Sequence, residues 1–439
     1  MALLKSVIFR WGKSVAFKSK SGYGIFHSAF YSPSTCDLSY QVRHRELLCI
    51  SISMQYLQGT QYVPITQDQW WKENAVYSTF NRQGVDITCV HFLCEHAKAN
   101  VFLVIGWNQT FLLYSDFIRV LIWNGFNVYT YDHQGQGLSE RWITDSSSLW
   151  VYSFDDYCDD LAFYITTTCR NDPSLPAYAI AHSLGGLILG ITMSRHPTLV
   201  NRAVMTAPMF RNRYYFTLND HWVFIPEPII YWSTSILCLL GLGSFRALGL
   251  LQEPPSDKLF LNGFFEQSPI QIRTSDEGQL QNQRVLRQRY PSITLNTVTN
   301  DWVRLCISAQ RNFFRRFRFV RTNTLILSAA SDSFSHNRAM VEFAQHAVSC
   351  KVLIAPCSHE ILFESPDVRN AATNIVIDFL RQETDDVHLV RAKDPFSLVD
   401  PSFTNLSVTE KIVRGAGLVV GSIGAITGVL LMVGASIRR

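Results

Sequence analysis

From about Ala75 the chain alternates between short apolar runs and longer amphipathic stretches. Residues 77–80 and 85–92 read as strands flanking Asn81-Arg82-Gln83-Gly84, a hairpin signal. Residues 100–106 form a continuous apolar run, the pattern of a strand buried on both faces of a parallel sheet. A helical stretch at 111–123 separates it from a second such run at 126–131. Another helix, 154–168, leads to the small apolar strand that ends at His182. After a strand at 203–207 the pattern breaks, then resumes with strands at 324–332 and 351–354 and a helix at 367–381. Strand and helix in alternation predict an α/β domain with a mostly parallel sheet and helices on both faces.

Residues 61–209 and 319–384 form this α/β core, interrupted by an insertion at 210–318. The most apolar part of the insertion, 229–251, is broken by Gly241, Gly243 and Arg246. That is too interrupted for a membrane span and suits a helical lid over the site or an interfacial segment. Residues 385–413 read as a polar linker. The stretch 415–437 then runs 23 residues without a charge, bracketed by Lys411, Arg414, Arg438 and Arg439. At about 1.5 Å of rise per residue it is long enough to cross a bilayer, so a transmembrane helix is expected at 414–437. Gly417, Gly421, Gly424 and Gly428 fall on one stripe, which would let two such helices approach closely and make a homo-oligomer. In residues 1–60, Leu4, Val7, Ile8, Trp11 and Val15 share a helical face, with Lys5, Lys13 and Lys18 off it. A basic amphipathic helix on anionic lipid, a solvated arm and a transit peptide all fit that arm.

Composition narrows the function classes. The 439 residues are 47% hydrophobic and 17% charged, on the apolar side of globular proteins, and a net charge of +4 gives no argument for nucleic acid. Ten cysteines form no C-x-x-C pair and no metal spacing, which suits buried thiols in a reducing compartment. Asn108-Gln109-Thr110 and Asn405-Leu406-Ser407 match the glycosylation acceptor pattern, but a glycan on the first would block a site on that loop. The catalytic domain is therefore expected on the cytoplasmic side of a membrane.

The chemistry centres on Ala181-His182-Ser183-Leu184-Gly185, where a buried strand ends at a serine and a helix begins at once. Strand, sharp turn and helix with small residues two positions either side of the serine form the context of a nucleophile elbow. An ordinary strand–helix turn that contains a serine is the plainer reading. Acyl transfer through serine also needs a base and an orienting acid, and after an elbow they follow in the order acid, then histidine. Asp332 and His359 occur in that order, each just past a core strand. Leu184 N–H is the expected first oxyanion donor, and Trp107 N–H, on the loop after the 100–106 strand, the second. Position 363 is Phe, so His359-Glu360 does not begin a zinc motif.

At these residues the chain resembles the bacterial membrane-associated lysophospholipases of the α/β-hydrolase fold and, more distantly, the monoacylglycerol lipases. The resemblance rests on Asp132-His133-Gln134-Gly135-Gln136-Gly137-Leu138-Ser139, on the Ser183 elbow and on His359-Glu360-Ile361-Leu362-Phe363-Glu364. Leu239-Leu240-Gly241-Leu242-Gly243 and Thr299-Asn300-Asp301-Trp302-Val303 of the insertion carry it too. It departs from those families at Gln134, where they usually have Arg, and at Ile105, where lipases often have His. The resemblance implies a serine hydrolase that cleaves an acyl ester of a lysophospholipid or monoacylglycerol at a membrane, with no cofactor and no metal. A hydrolase of another ester, thioester or amide would keep the same three residues. A non-catalytic membrane scaffold would need one of them to be missing.

Overall fold

The computed structural model describes residues 68–171, 173–218, 221–247, 273–295, 297–381 and 396–399. The N-terminal arm, the centre of the insertion, Asn405 and the apolar stretch 415–437 lie outside them.

The sheet grows from the apolar runs. Val76–Arg82 (β1) and Val85–Phe92 (β2) pair antiparallel with Arg82 opposite Val85. The turn is therefore two residues, with Gln83 at φ 55° and Gly84 at φ 93°. Such positive φ values match the twist of the flanking strands, and glycine adopts them without strain. Ala99–Val104 (β3) is buried at every position, as a strand covered on both faces must be. Phe126–Tyr131 (β4), Ala177–His182 (β5), Arg202–Thr206 (β6), Asn323–Ala329 (β7) and Cys350–Ala355 (β8) complete the parallel part. Among the described residues the order across the sheet is β1-β2-β4-β3-β5-β6-β7-β8, with Ser397–Leu398 (β9) antiparallel on the β8 edge. That last strand lies within the expected polar linker; its anchor is Phe396, 3% exposed, which gives the stretch an apolar foothold.

This is an α/β-hydrolase fold with a mostly parallel central sheet. The chain leaves β3 for β4 on one side and returns to β5 on the other, so the strand order reverses at β3. Ligand crevices in open α/β sheets form outside the carboxyl ends of strands at such a reversal. Ser183 and Trp107 follow the carboxyl ends of β5 and β3 there.

The helices Ser115–Trp123 (α1), Phe154–Asn171 (α2) and Leu184–Arg195 (α3) connect the strands. Every α3 residue from Leu184 to Ser194 is buried, which accounts for its lack of a polar face. The insertion between β6 and β7 contributes Glu227–Leu239 (α4), Glu277–Arg289 (α5) and Asn300–Arg316 (α6). Trp302, Val303, Cys306, Ile307, Gln310 and Phe313 recur at helical spacing and form the buried face of α6. A parallel pair of Thr297–Val298 with Ser148–Leu149 stitches the insertion to a core loop. On α4, Ile230, Thr234 and Leu237 turn inward, whereas Trp232 and Leu239 are 64% and 86% exposed. Asn337–His346 (α7) and Pro366–Arg381 (α8) finish the core. Among the described residues, no helix is long and apolar enough to cross a membrane.

Candidate active site

The turn from β5 into α3 holds Ser183 at φ 50°, ψ −113°. That is left-handed backbone for a residue with a Cβ, a strained conformation that surrounding structure must impose. Two contacts impose it here. The Ser183 N–H donates to the Thr206 carbonyl at 3.0 Å, and the Ser183 carbonyl accepts from Met209 N–H at 2.8 Å. Gly185 meets the end of β3 so closely that a Cβ would lie 2.3 Å from the Val104 carbonyl oxygen. The small residue two positions after the serine is thus demanded by the helix–strand approach.

His359 comes from the loop after β8, and its Nε2 lies 2.9 Å from Ser183 Oγ. Its Nδ1 lies 3.0 and 2.9 Å from the two Asp332 carboxylate oxygens. An ionised carboxylate only accepts, so Nδ1–H donates and Nε2 is left to accept the serine hydroxyl proton. Asp332 sits three residues past β7 and also accepts from Phe334 N–H and Ser335 N–H, both at 2.8 Å. Burial pushes the Asp332 carboxyl up, but His359 and those two N–H groups outweigh it and hold it below its ordinary value. All three side chains are buried. The structure thus brings Ser183, Asp332 and His359 together in one hydrogen-bonded chain.

Leu184 N–H opens α3, and neither it nor Trp107 N–H has an acceptor among the described residues. Trp107 lines the same cavity as Ser183 and His359. Its loop is held from below by the run that begins at Asp132. Asp132 accepts from Thr110 Oγ1 at 2.8 Å, Phe111 N–H at 2.8 Å and Leu138 N–H at 2.7 Å. His133 Nε2 donates to the Ile105 carbonyl at 2.9 Å, and Gln136 Nε2 to the Gly106 carbonyl at 2.8 Å. Gln109 Oε1 accepts from Gly106 N–H at 2.8 Å and from Tyr114 Oη at 2.7 Å, which consumes the Gly106 N–H. Burial raises the Asp132 carboxyl to about 7 against its three donors, and it lowers His133 to about 4. His182, beside His359 with ring centroids 5.0 Å apart, is lowered to about 3 by burial and by His359. It stays neutral, with Nδ1 on Thr206.

The departure at Gln134 has a local explanation. Gln134 Nε2 donates to Asp160 Oδ2 at 2.7 Å, and Arg82 Nε lies 3.2 Å from Asp160 Oδ1. A guanidinium from β1 therefore reaches the acid from another strand. At Asn108 the side chain is 2% exposed and bonded to Leu295 and Arg287, so its glycosylation pattern is packed inside the protein.

The cavity at Ser183 has a volume of about 110 Å³. Met209, Tyr214, Trp302, Val303 and Phe334 give it an apolar wall, and Arg213, Arg273 and Glu360 add charge. None of these three charged residues stood out in the sequence for a role. Arg213 and Arg273 come from the insertion, where no motif marks them, and Glu360 appeared only as the neighbour of His359. Among the described residues, no group of three or more His, Cys, Asp or Glu could hold a metal ion.

The profile of the serine aminopeptidase, S33 family (Hydrolase_4) matches residues 95–366, more than half of the chain. The chain belongs to this family. It is similar to lysophospholipase L2 of Escherichia coli K12, at 26% identity over 334 residues, a match that covers 73% of this chain and 90% of that protein. Monoglyceride lipase of Homo sapiens is 26% identical over 112 residues, 26% of this chain and 35% of that one. The structure of a soluble variant of monoglyceride lipase from Saccharomyces cerevisiae, solved with a substrate analogue, superposes with a TM-score of 0.53 at 15% identity. It covers 71% of this S33 hydrolase and 96% of its own chain, and it speaks for the fold.

Proposed function

We propose that this S33 hydrolase cleaves acyl esters of lysophospholipids or monoacylglycerols through a covalent acyl-enzyme. The observation that carries the reading is the continuous chain of hydrogen bonds from Asp332 through His359 to a strained Ser183 at the cavity wall. Ser183 Oγ attacks the ester carbonyl as His359 Nε2 takes its proton, and the carbonyl oxygen develops charge facing Leu184 and Trp107 N–H. The tetrahedral intermediate collapses as His359 returns the proton to the leaving alcohol. Water, activated by the same histidine, then releases the fatty acid. The apolar wall of the cavity and the lysophospholipase and monoglyceride lipase relatives favour a lipid acyl group over a polar metabolite.

The insertion acts as a lid in this reading, and the outward stripe of α4 is its lipid-facing side. Trp232, Ile236, Leu239 and Leu240 recur at helical spacing and are all exposed, with Phe245 beyond them. The apolar stretch 415–437 would add a single-pass anchor, self-associating through its glycine stripe, with the hydrolase on the cytoplasmic side. Ser183→Ala tests the chemistry. A fluorophosphonate probe should label the wild type and spare the variant, and the variant should lose essentially all turnover of a short-chain ester. Equal labelling of both proteins would end the assignment.

A further inference from the structure

The cavity beside Ser183 holds a positive charge that its own residues leave unmatched. Apart from the histidines, its charged lining is Arg213, Arg273 and Glu360. Arg273 and Glu360 answer each other at 3.4 Å, and Gln283 Nε2 donates to the other Glu360 oxygen at 2.7 Å. The Arg273 guanidinium is further occupied by the Trp107 and Phe334 rings, whose centroids lie 5.4 and 5.5 Å away. Glu360 is therefore a satisfied carboxylate, and Arg273 is its counter-ion.

Arg213 is different. No carboxylate pairs with it among the described residues, and its Nε is buried without a hydrogen-bond partner. Its position is nevertheless fixed. The Arg213 N–H donates to the Phe334 carbonyl at 2.9 Å, and Phe334 is the residue whose own N–H holds Asp332 and whose ring lies 5.0 Å from that of His359. Gln310 of α6 braces the same segment through the Met209 carbonyl at 2.9 Å and Asn212 Oδ1 at 3.0 Å. A second buried donor without a partner is Nε1 of Trp107, a residue that lines the same cavity.

Arg213 as a whole is half-buried, but burying its Nε donor without an acceptor is costly unless a ligand supplies what is missing. Two unmet donors and one surplus positive charge call for a group that only accepts and carries negative charge. A glycerol hydroxyl can accept from one N–H but leaves the charge unmatched. The phosphate of a lysophospholipid meets both needs, and a guanidinium fork suits its oxygens.

We propose that Arg213, with Trp107 Nε1, binds the phosphate carried by the alcohol part of the ester and so selects lysophospholipids over neutral monoacylglycerols. The assignment rests on the reading of Ser183 as the nucleophile of an ester hydrolase. It makes Arg213 a specificity-determining residue, separate from the proton-transfer chain.

The test compares purified full-length protein on a short-chain lysophosphatidylethanolamine and on the monoacylglycerol of the same acyl chain, both below their micelle concentrations. In Arg213→Met, the ratio of kcat/KM for the phosphate-bearing ester to that for the neutral ester should fall about 10- to 100-fold, the size of one charge-assisted contact. A purely structural role would lower both constants by the same factor, and an unchanged ratio would overturn the assignment. A second measurement needs no variant. On wild-type protein, a non-hydrolysable ether lysophosphatidylethanolamine should inhibit at least tenfold more tightly than the matching ether glycerol, and equal inhibition would also overturn it. Failure of the underlying reading looks different: turnover of both esters would survive Ser183→Ala. Turnover that depends on Ser183 with a ratio indifferent to Arg213 defeats only the anion site.

Discussion

Ser183 illustrates how little of a reacting group belongs to the residue itself. Its φ of 50° costs about 1–3 kcal/mol for a residue with a side chain, and the Thr206 and Met209 backbone contacts hold it there. In the proposed mechanism the serine hydroxyl gains its reactivity from His359, and His359 its tautomer from Asp332, whose ionised form is favoured by two backbone N–H groups as well as by the imidazole. Asp332→Asn should therefore fold normally yet lose about four orders of magnitude in kcat, because an amide can present a donor to Nδ1 and favour the wrong tautomer. Steady-state turnover of a soluble ester measures it. Activity within tenfold of the wild type would mean that another carboxylate orients the imidazole.

At the scale of elements, the turn after β4 and helix α2 act as scaffolding for the loop after β3 that carries Trp107. Asp160 of α2 is part of it, bridging Gln134 and Arg82. Burial dominates its titration and raises it to about 6 despite those two donors. The folded chain therefore binds a proton at Asp160 more readily than the unfolded chain, whose carboxyl titrates near 3.9, and the stability this gives is lost as pH rises through about 6. Wild type should gain roughly 1 kcal/mol over Asp160→Asn when the pH falls from 7 to 5, read as the difference between their urea midpoints at each pH. A constant difference would show that Arg82 keeps the acid ionised throughout.

The sheet strands were legible because a strand buried on both faces has to be a continuous apolar run, as 100–106 is. The elbow was legible because close approach at Gly185 leaves a trace in residue size. The turn from Asp132 to Ser139 was visible as a motif, but its work was not, since its bonds to residues 105–111 run mostly to backbone atoms that any side chains could supply, with the Thr110 hydroxyl the exception. Arg213 and Arg273 left no local trace at all. Their meaning comes from a cavity assembled by segments more than 100 residues apart, and β9 was hidden because a two-residue edge strand has no periodicity.

For the molecule as a whole, the insertion presents two faces of different character. Its inner side, through Trp302, Val303 and Arg213, helps enclose the reacting serine, and its outer side bears Trp232 and Leu239. Replacing both Trp232 and Leu239 with Ser should slow turnover of lysophospholipid in vesicles at least tenfold, because each side chain contributes on the order of 1.5–3 kcal/mol on leaving water. Turnover of a soluble short-chain ester should stay within twofold. Equal rates on vesicles for wild type and variant would show that the stripe does not face lipid. Trp232 and Leu239 lie on the same inserted segment that walls the cavity, so in the proposed reading adsorption and catalysis would meet in one piece of chain. An enzyme seated in this way samples a two-dimensional solution: its effective substrate concentration is the mole fraction of lysolipid in the sheet beneath it, and diluting that sheet with inert lipid slows it even when the amount of substrate in the tube is unchanged.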